Sequence, residues 1–160
     1  MKANHALILL VDDDPNDVVL VQRAFRRAQL DIALNAVPSV PQARAYLTGQ
    51  GQFADRNAFP LPALVLLDLK LPGEDGIAML RWIREQKELL RIPVIVLSSS
   101  REQGDVDGAY DAGASSYLVK PVAFEALQTM LTTFAHYWLN FNTPPSLAAG
   151  GKHLSLPRRG

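Results

Sequence analysis

The amino-acid sequence predicts an α/β fold: a doubly wound, five-stranded parallel sheet with helices on both faces. Three observations carry that expectation. Leu7 to Val11, Leu64 to Leu67 and Val94 to Leu97 are short apolar runs without alternation, the pattern of strands buried on both faces. Segments of helical period lie between the runs, and each run ends on a polar residue. The resulting order, βαβαβαβαβα, calls for right-handed crossovers in a parallel sheet.

The elements follow in sequence. After the first strand, Asp14 can cap a helix that has Pro15 at its first position and Asp17 in its first turn, where a carboxylate suits the helix dipole. Val18, Val21, Phe25 and Ala28 make its apolar stripe. Ile32 to Val37 is a weaker second strand, and Ala43 to Leu47 a short second helix stopped by Gly49. Gly49 to Pro62 is a polar loop longer than most such connections. Ile77, Leu80 and Ile83 mark the third helix. Arg101 to Ala112 is a poor fourth helix, because Gly104 and Gly108 each cost about 1 kcal/mol relative to alanine. Ser116 to Val119 is the fifth strand, and Phe124, Leu127, Leu131, Phe134 and Trp138 stripe a long last helix. These elements predict one domain over 5–142. Thr143 to Gly160 carries the prolines and glycines expected of a flexible tail.

Composition narrows the function. The 160 residues are 48% apolar and 20% charged, with 16 basic and 16 acidic residues and no cysteine. Disulfides, thiolate metal sites and a cysteine nucleophile are excluded. A formal charge of zero gives no electrostatic reason for a nucleic-acid partner. Ala6 to Val11 is too short for a signal core or membrane span, so no membrane association and a cytoplasmic location are expected. His5, His136 and His153 follow no ligand spacing.

In an open parallel sheet, ligands bind beyond the carboxyl ends of the strands. The residues at those ends are Asp12, Asp13 and Asp14 after the first strand, Asp68 after the third, Ser98 to Ser100 after the fourth and Lys120 after the fifth. Two carboxylates about 4 Å apart repel by about 4 kcal/mol at an effective dielectric of about 20. A proton or a hard cation must therefore settle among them, and an all-oxygen donor set favours Mg²⁺, with Mn²⁺ a substitute. An aspartate beside such a cation, a lysine and a hydroxyl is suited to accept a phosphoryl group as an acyl phosphate. Taken singly, these residues have plainer uses. Asp12-Asp13-Asp14-Pro15 can be a turn and cap, Asp68 can open a turn through Leu71-Pro72-Gly73, and Tyr117 can be a half-buried strand aromatic.

Taken in order, Leu9 to Asp14, Leu66 to Gly73, Val94 to Ser98 and Ser116 to Pro121 resemble the receiver domains of two-component response regulators, the flavodoxin-like, CheY-like family. The resemblance runs from about Leu7 to Asn140. It implies Asp68 as phosphoacceptor. It also implies Mg²⁺ bound by Asp13, Asp68 and the backbone carbonyl of Lys70, with Asp12 acting mostly through metal-bound water. Ser98 is then the switch hydroxyl, Tyr117 the rotating aromatic and Lys120 the phosphate-pairing lysine. A cis bond between Lys120 and Pro121 is implied as well, against a base rate of about 5–6% for X–Pro bonds. Lys70 and Ser100 fall at positions whose side chains influence the lifetime of the acyl phosphate.

The loop Gly49 to Pro62, Ile92-Pro93, the serine run and Tyr137-Trp138-Leu139 resemble the single-domain regulators paired with bacterial phytochromes. This implies a sensor histidine kinase as partner, a phytochrome among them, with signalling by protein contact or phosphorelay. It also implies a homodimer through the last helix, where Tyr137 and Phe141 lie off the core stripe. Such a protein is a phosphoacceptor, acting only in its own phosphorylation and dephosphorylation. Two rivals remain open: a degenerate receiver serving purely as an interaction module, and a haloacid-dehalogenase-like phosphatase. The latter needs an acid two residues after the nucleophile, where Lys70 stands.

Overall fold

The computed structural model describes residues 6–30 and 32–147. His5, His153 and the rest of the expected tail after Leu147 lie outside them. Five strands, β1 (Ala6–Val11), β2 (Ile32–Val37), β3 (Leu64–Leu67), β4 (Val94–Ser98) and β5 (Ser116–Val119), form one sheet. They alternate with α1 (Pro15–Arg27), α2 (Val40–Thr48), α3 (Gly76–Glu85), α4 (Gln103–Asp111) and α5 (Phe124–His136). All four pairings are parallel, in the order β2-β1-β3-β4-β5. The chain winds outward in opposite directions from β1 and β3, so the switch point and its crevice lie between these neighbours.

Both faces of the sheet are buried, which explains the unbroken apolar runs. Leu7, Leu9, Val11, Val65, Leu67 and Val94 point to the face covered by α2 and α3, where Val40, Tyr46, Leu47, Met79, Leu80 and Ile83 meet them. Ile8, Leu10, Leu64, Leu66, Ile95 and Leu97 point to the opposite face, against Val21, Ala24 and Phe25 of α1 and Leu127, Leu131 and Phe134 of α5. The period-two alternation of side chains distributes one continuous apolar run between two cores.

The signals for helix ends perform as expected. The Asp14 carboxylate accepts the Asn16 N–H at 2.9 Å, and Gly49 closes α2 in the left-handed conformation, φ +67°. Four regions depart from the expectations. The long loop is ordered by Arg56, which donates to the Tyr46 carbonyl at 2.7 Å, and by packing of Phe53 and Phe59 on Tyr46. The last helix widens into a π turn over Tyr137–Phe141, keeping Trp138 against Phe134. The start of the tail is held to the body. Arg91 donates to the Ser146 carbonyl at 3.4 Å, and Leu147 packs on the core under α2 and α3. Finally, no cis peptide bond occurs among the described residues. The expected cis bond is therefore corrected: Lys120–Pro121 is trans, the isomer that X–Pro bonds favour by about 0.5–1 kcal/mol.

Candidate functional site at the carboxyl edge of the sheet

Sheet register assembles the site. Val11 pairs with Leu67 across β1 and β3, so the residues that follow them, Asp12 and Asp68, emerge side by side. The ladder continues one step past each strand. The Asp12 N–H donates to the Val37 carbonyl at 3.1 Å, the Asp68 N–H to Val11 at 3.0 Å and the Lys120 N–H to Ser98 at 2.8 Å. The backbone under three site residues is therefore as fixed as the strands themselves. Gly76 fixes the other side of Asp68. A Cβ there would lie 2.7 Å from Leu69 Cα and 2.8 Å from the Asp68 carbonyl oxygen, so only glycine lets α3 start this close to the loop that follows Asp68.

The Lys120 ammonium is the hub. It donates to Asp17 Oδ2 at 2.8 Å, Asp12 Oδ2 at 3.1 Å and Asp68 Oδ2 at 3.4 Å. Asp12 is 2% exposed and also accepts the Asp14 N–H on Oδ1 at 3.0 Å. The Lys70 N–H donates to Asp68 Oδ1 at 3.0 Å. Burial pushes the Asp12 carboxyl above its ordinary range, against the pull of the Asp14 N–H and Lys120. For Lys120, burial alone favours the neutral amine. The hydrogen bond that Lys120 donates to Asp17 and the charges on Asp68 and Asp12 outweigh it and hold the ammonium pKa above its usual value.

A hydroxyl network lies on the other side of Asp68. Ser98 is fully buried at the end of β4, and its Oγ accepts the Ser100 N–H at 3.2 Å. The Ser100 hydroxyl bonds the Asp105 carboxylate of α4 and accepts the Glu102 N–H at 3.3 Å. The half-buried Tyr117 donates its hydroxyl to the Ser100 carbonyl at 2.9 Å. Its ring packs on the small cluster of Leu69, Val96 and Ala109.

Of the residues expected from the sequence, Asp12, Asp68 and Lys120 are in direct contact, while Ser98 and Tyr117 meet through Ser100. Asp13 is exposed, outside the group of three carboxylates that could hold a cation among the described residues. That group is Asp12, Asp17 and Asp68, each offering an oxygen within 4.8 Å of the others. Asp12 takes the inner position because its side chain closes a turn onto the Asp14 N–H, which leaves Asp13 on the outside of the bend. Asp17 was legible only as a first-turn carboxylate. The signal for its second use is its place in the first turn of a helix that begins three residues past Asp12, which returns it to the strand end.

Residues 8–132 match the response regulator receiver domain family. The chain belongs to that family. It is 35% identical over 140 residues to the response regulator Rcp1 of Synechocystis, covering 88% of this chain and 93% of Rcp1. It is equally 35% identical over 142 residues to the probable methanogenesis regulatory protein FilR2 of Methanothrix harundinacea, covering 89% of each chain. The crystal structure of the phosphorylated cyanobacterial phytochrome response regulator RcpA superposes with a TM-score of 0.82 at 34% identity, covering 89% of this chain and 99% of RcpA. The Mn²⁺-bound form of Rcp1 superposes with a TM-score of 0.78, covering 88% of this chain and 99% of Rcp1.

A receiver domain takes a phosphoryl group from a histidine kinase onto an aspartate and binds a divalent metal, and the donor chemistry here fits such an ion. Three carboxyl groups face one lysine, and every side-chain atom they could offer an ion is a hard oxygen. Among the described residues, no helix is long and apolar enough to cross a membrane.

Proposed function

We propose that Asp68 is the phosphoacceptor, that Mg²⁺ is the working ion with Mn²⁺ a substitute, and that the phosphodonor is a phytochrome-type histidine kinase. The observation that carries the site assignment is the contact of Lys120 with Asp68 and Asp12 at the switch point between β1 and β3. Asp68 is less enclosed than Asp12, so a donor can reach it; the Lys70 N–H holds Oδ1, and Oδ2, which meets only the long 3.4 Å contact from Lys120, is the oxygen placed to attack in line. Asp12, Asp13 and Asp68 would hold the ion together with the Lys70 carbonyl, Asp13 from its exposed place beside the cluster. The bound ion supplies neutralisation of charge on the transferring phosphoryl group. Lys120 pairs with the new phosphoryl oxygens, and Ser98, whose Oγ accepts only a backbone N–H, turns to donate to them. Tyr117 is coupled to that movement through Ser100.

No turnover of phosphate esters is expected, because Lys70 stands where a dehalogenase-like phosphatase carries its general acid. The phytochrome link is supported by the likeness to RcpA, and the equal identity to FilR2 makes kinase pairing a point to measure. Phe141 at 78% exposure and Tyr137 at 54%, beyond α5, support self-association through that end.

Intact-mass analysis after incubation with acetyl phosphate and Mg²⁺ tests the site. One added phosphoryl group is expected, absent in Asp68→Asn and with EDTA. No uptake by the native chain would leave an interaction module instead.

A further inference from the structure

A third carboxylate lies in the site that the phosphoacceptor reading does not use. Asp17 belongs to α1, not to a strand end, yet it makes the shortest of the three Lys120 contacts: 2.8 Å, against 3.4 Å to Asp68. Both partners are partly screened from solvent, the lysine side chain at 15% exposure and that of Asp17 at 32%. The Asp17 side chain is placed by the first turn of a helix fixed at both ends. At one end is the Asp14 cap; at the other, Val21, Ala24 and Phe25 are buried against the sheet. The carboxylate therefore does not drift with the loops around the site.

An ammonium has three protons to donate, and here all three acceptors are carboxylates. Phosphorylation of Asp68 Oδ2 hands the longest of these contacts to the phosphoryl group, and an ammonium that moves in to pair closely with the new oxygens must lengthen one of the other two. Asp12 is the buried partner and cannot be left uncompensated. Asp17, at the solvent side, is the partner that can let go.

We propose that Asp17 is a positioning residue that holds Lys120 toward α1 in the unphosphorylated protein and must release it for phosphoryl transfer. Asp17 thereby restrains phosphoryl uptake. It acts on the reaction only through the lysine, and its carboxylate stands in for the phosphoryl oxygens until they arrive. This rests on Asp68 as the phosphoacceptor.

The test compares wild type, Asp17→Asn and Asp17→Glu in the full chain. Uptake from acetyl phosphate is followed by intact mass, and the unphosphorylated variants are crystallised. Asp17→Asn, which keeps the shape and removes the charge, is expected to take up phosphate about fivefold faster, the factor that a partly buried pair of about 1 kcal/mol confers. Asp17→Glu, which keeps an anion within reach of the lysine, should stay within about twofold of wild type, whereas a merely structural role would make both variants alike. In crystals of Asp17→Asn the Lys120–Asp68 contact should shorten from 3.4 Å to about 2.8 Å. Normal wild-type uptake with an unchanged or slower Asp17→Asn overturns the proposal, as does a lysine that has not moved. If wild type takes up nothing, the phosphoacceptor reading fails, and the lysine position in the crystals still decides whether Asp17 holds it.

Discussion

The carboxyl edge of the sheet has two halves, built in opposite ways. On the β1 side, Asp12, Asp17 and Asp68 converge on Lys120, and the supporting helix α1 is buried through Val21, Ala24 and Phe25. On the β4 side, neutral hydroxyls and a carbonyl connect Ser98, Ser100 and Tyr117, and α4 buries only Ala109. The first half stores unbalanced charge on a rigid frame. The second is held by neutral hydrogen bonds beside a helix with a single buried residue. A charge change made in one half can thus be expressed as movement in the other, because the element with fewest buried contacts opens at least cost.

Removing the hub should have the largest effect. Lys120→Met leaves three carboxylates facing one another and is expected to cost about 3 kcal/mol in EDTA near neutrality, with part recovered on adding Mg²⁺. Urea denaturation with and without the ion measures both. A loss that the ion does not relieve would show that the two halves differ in packing alone.

An intermediate effect of opposite sign is expected at Asp12. Its carboxyl pKa is raised by burial. The folded state then holds a proton that the unfolded state has already lost, so this group's contribution to stability is present below its unfolded value of 3.8 and is lost as pH rises through the folded value. At neutral pH the ionised group weighs against folding. Asp12→Asn is therefore expected to raise the unfolding free energy in EDTA at pH 7 by about 1 kcal/mol while weakening Mn²⁺ binding. The gain should shrink as the pH is lowered toward 4. Thermal unfolding across pH, together with a metal titration, would show both trends or neither.

The smallest effect sharpens the contrast from the other half. A Cβ at Gly104 or Gly108 meets nothing within 4 Å, and neither glycine has a positive φ. Replacing each by alanine should stabilise α4 by about 0.5–1 kcal/mol. The local gain is read as slower amide exchange in α4, with α1 unchanged. Equal protection of the two helices in the native chain would contradict the contrast between the halves.

The order of elements was legible because three of the five strands carry an unbroken apolar run and the first two helices a marked end. Asp14, Gly49 and the stripe of α1 mark their places locally. The chemistry at the strand ends was legible for the same reason: a residue that follows a buried strand can only emerge at the edge. What failed locally failed for stated causes. Asp17 looked like a dipole partner because its second role depends on how α1 packs back over β1. Which of the adjacent aspartates Lys120 contacts was not legible either, because only the bend that closes on the Asp14 N–H turns Asp12 inward. Gly76 carried no signal, since the backbone it must approach is remote from the helix pattern.

By itself, then, the sequence determined an α/β chain with carboxylates, hydroxyls and a lysine delivered to one edge, because period and burial are local properties. Tertiary structure alone decided which carboxylates the lysine touches, and in what order of distance. That order depends on the register between β1 and β3 and on where α1 lies against the sheet. Both are set by the packing of the whole domain, not by any segment of it.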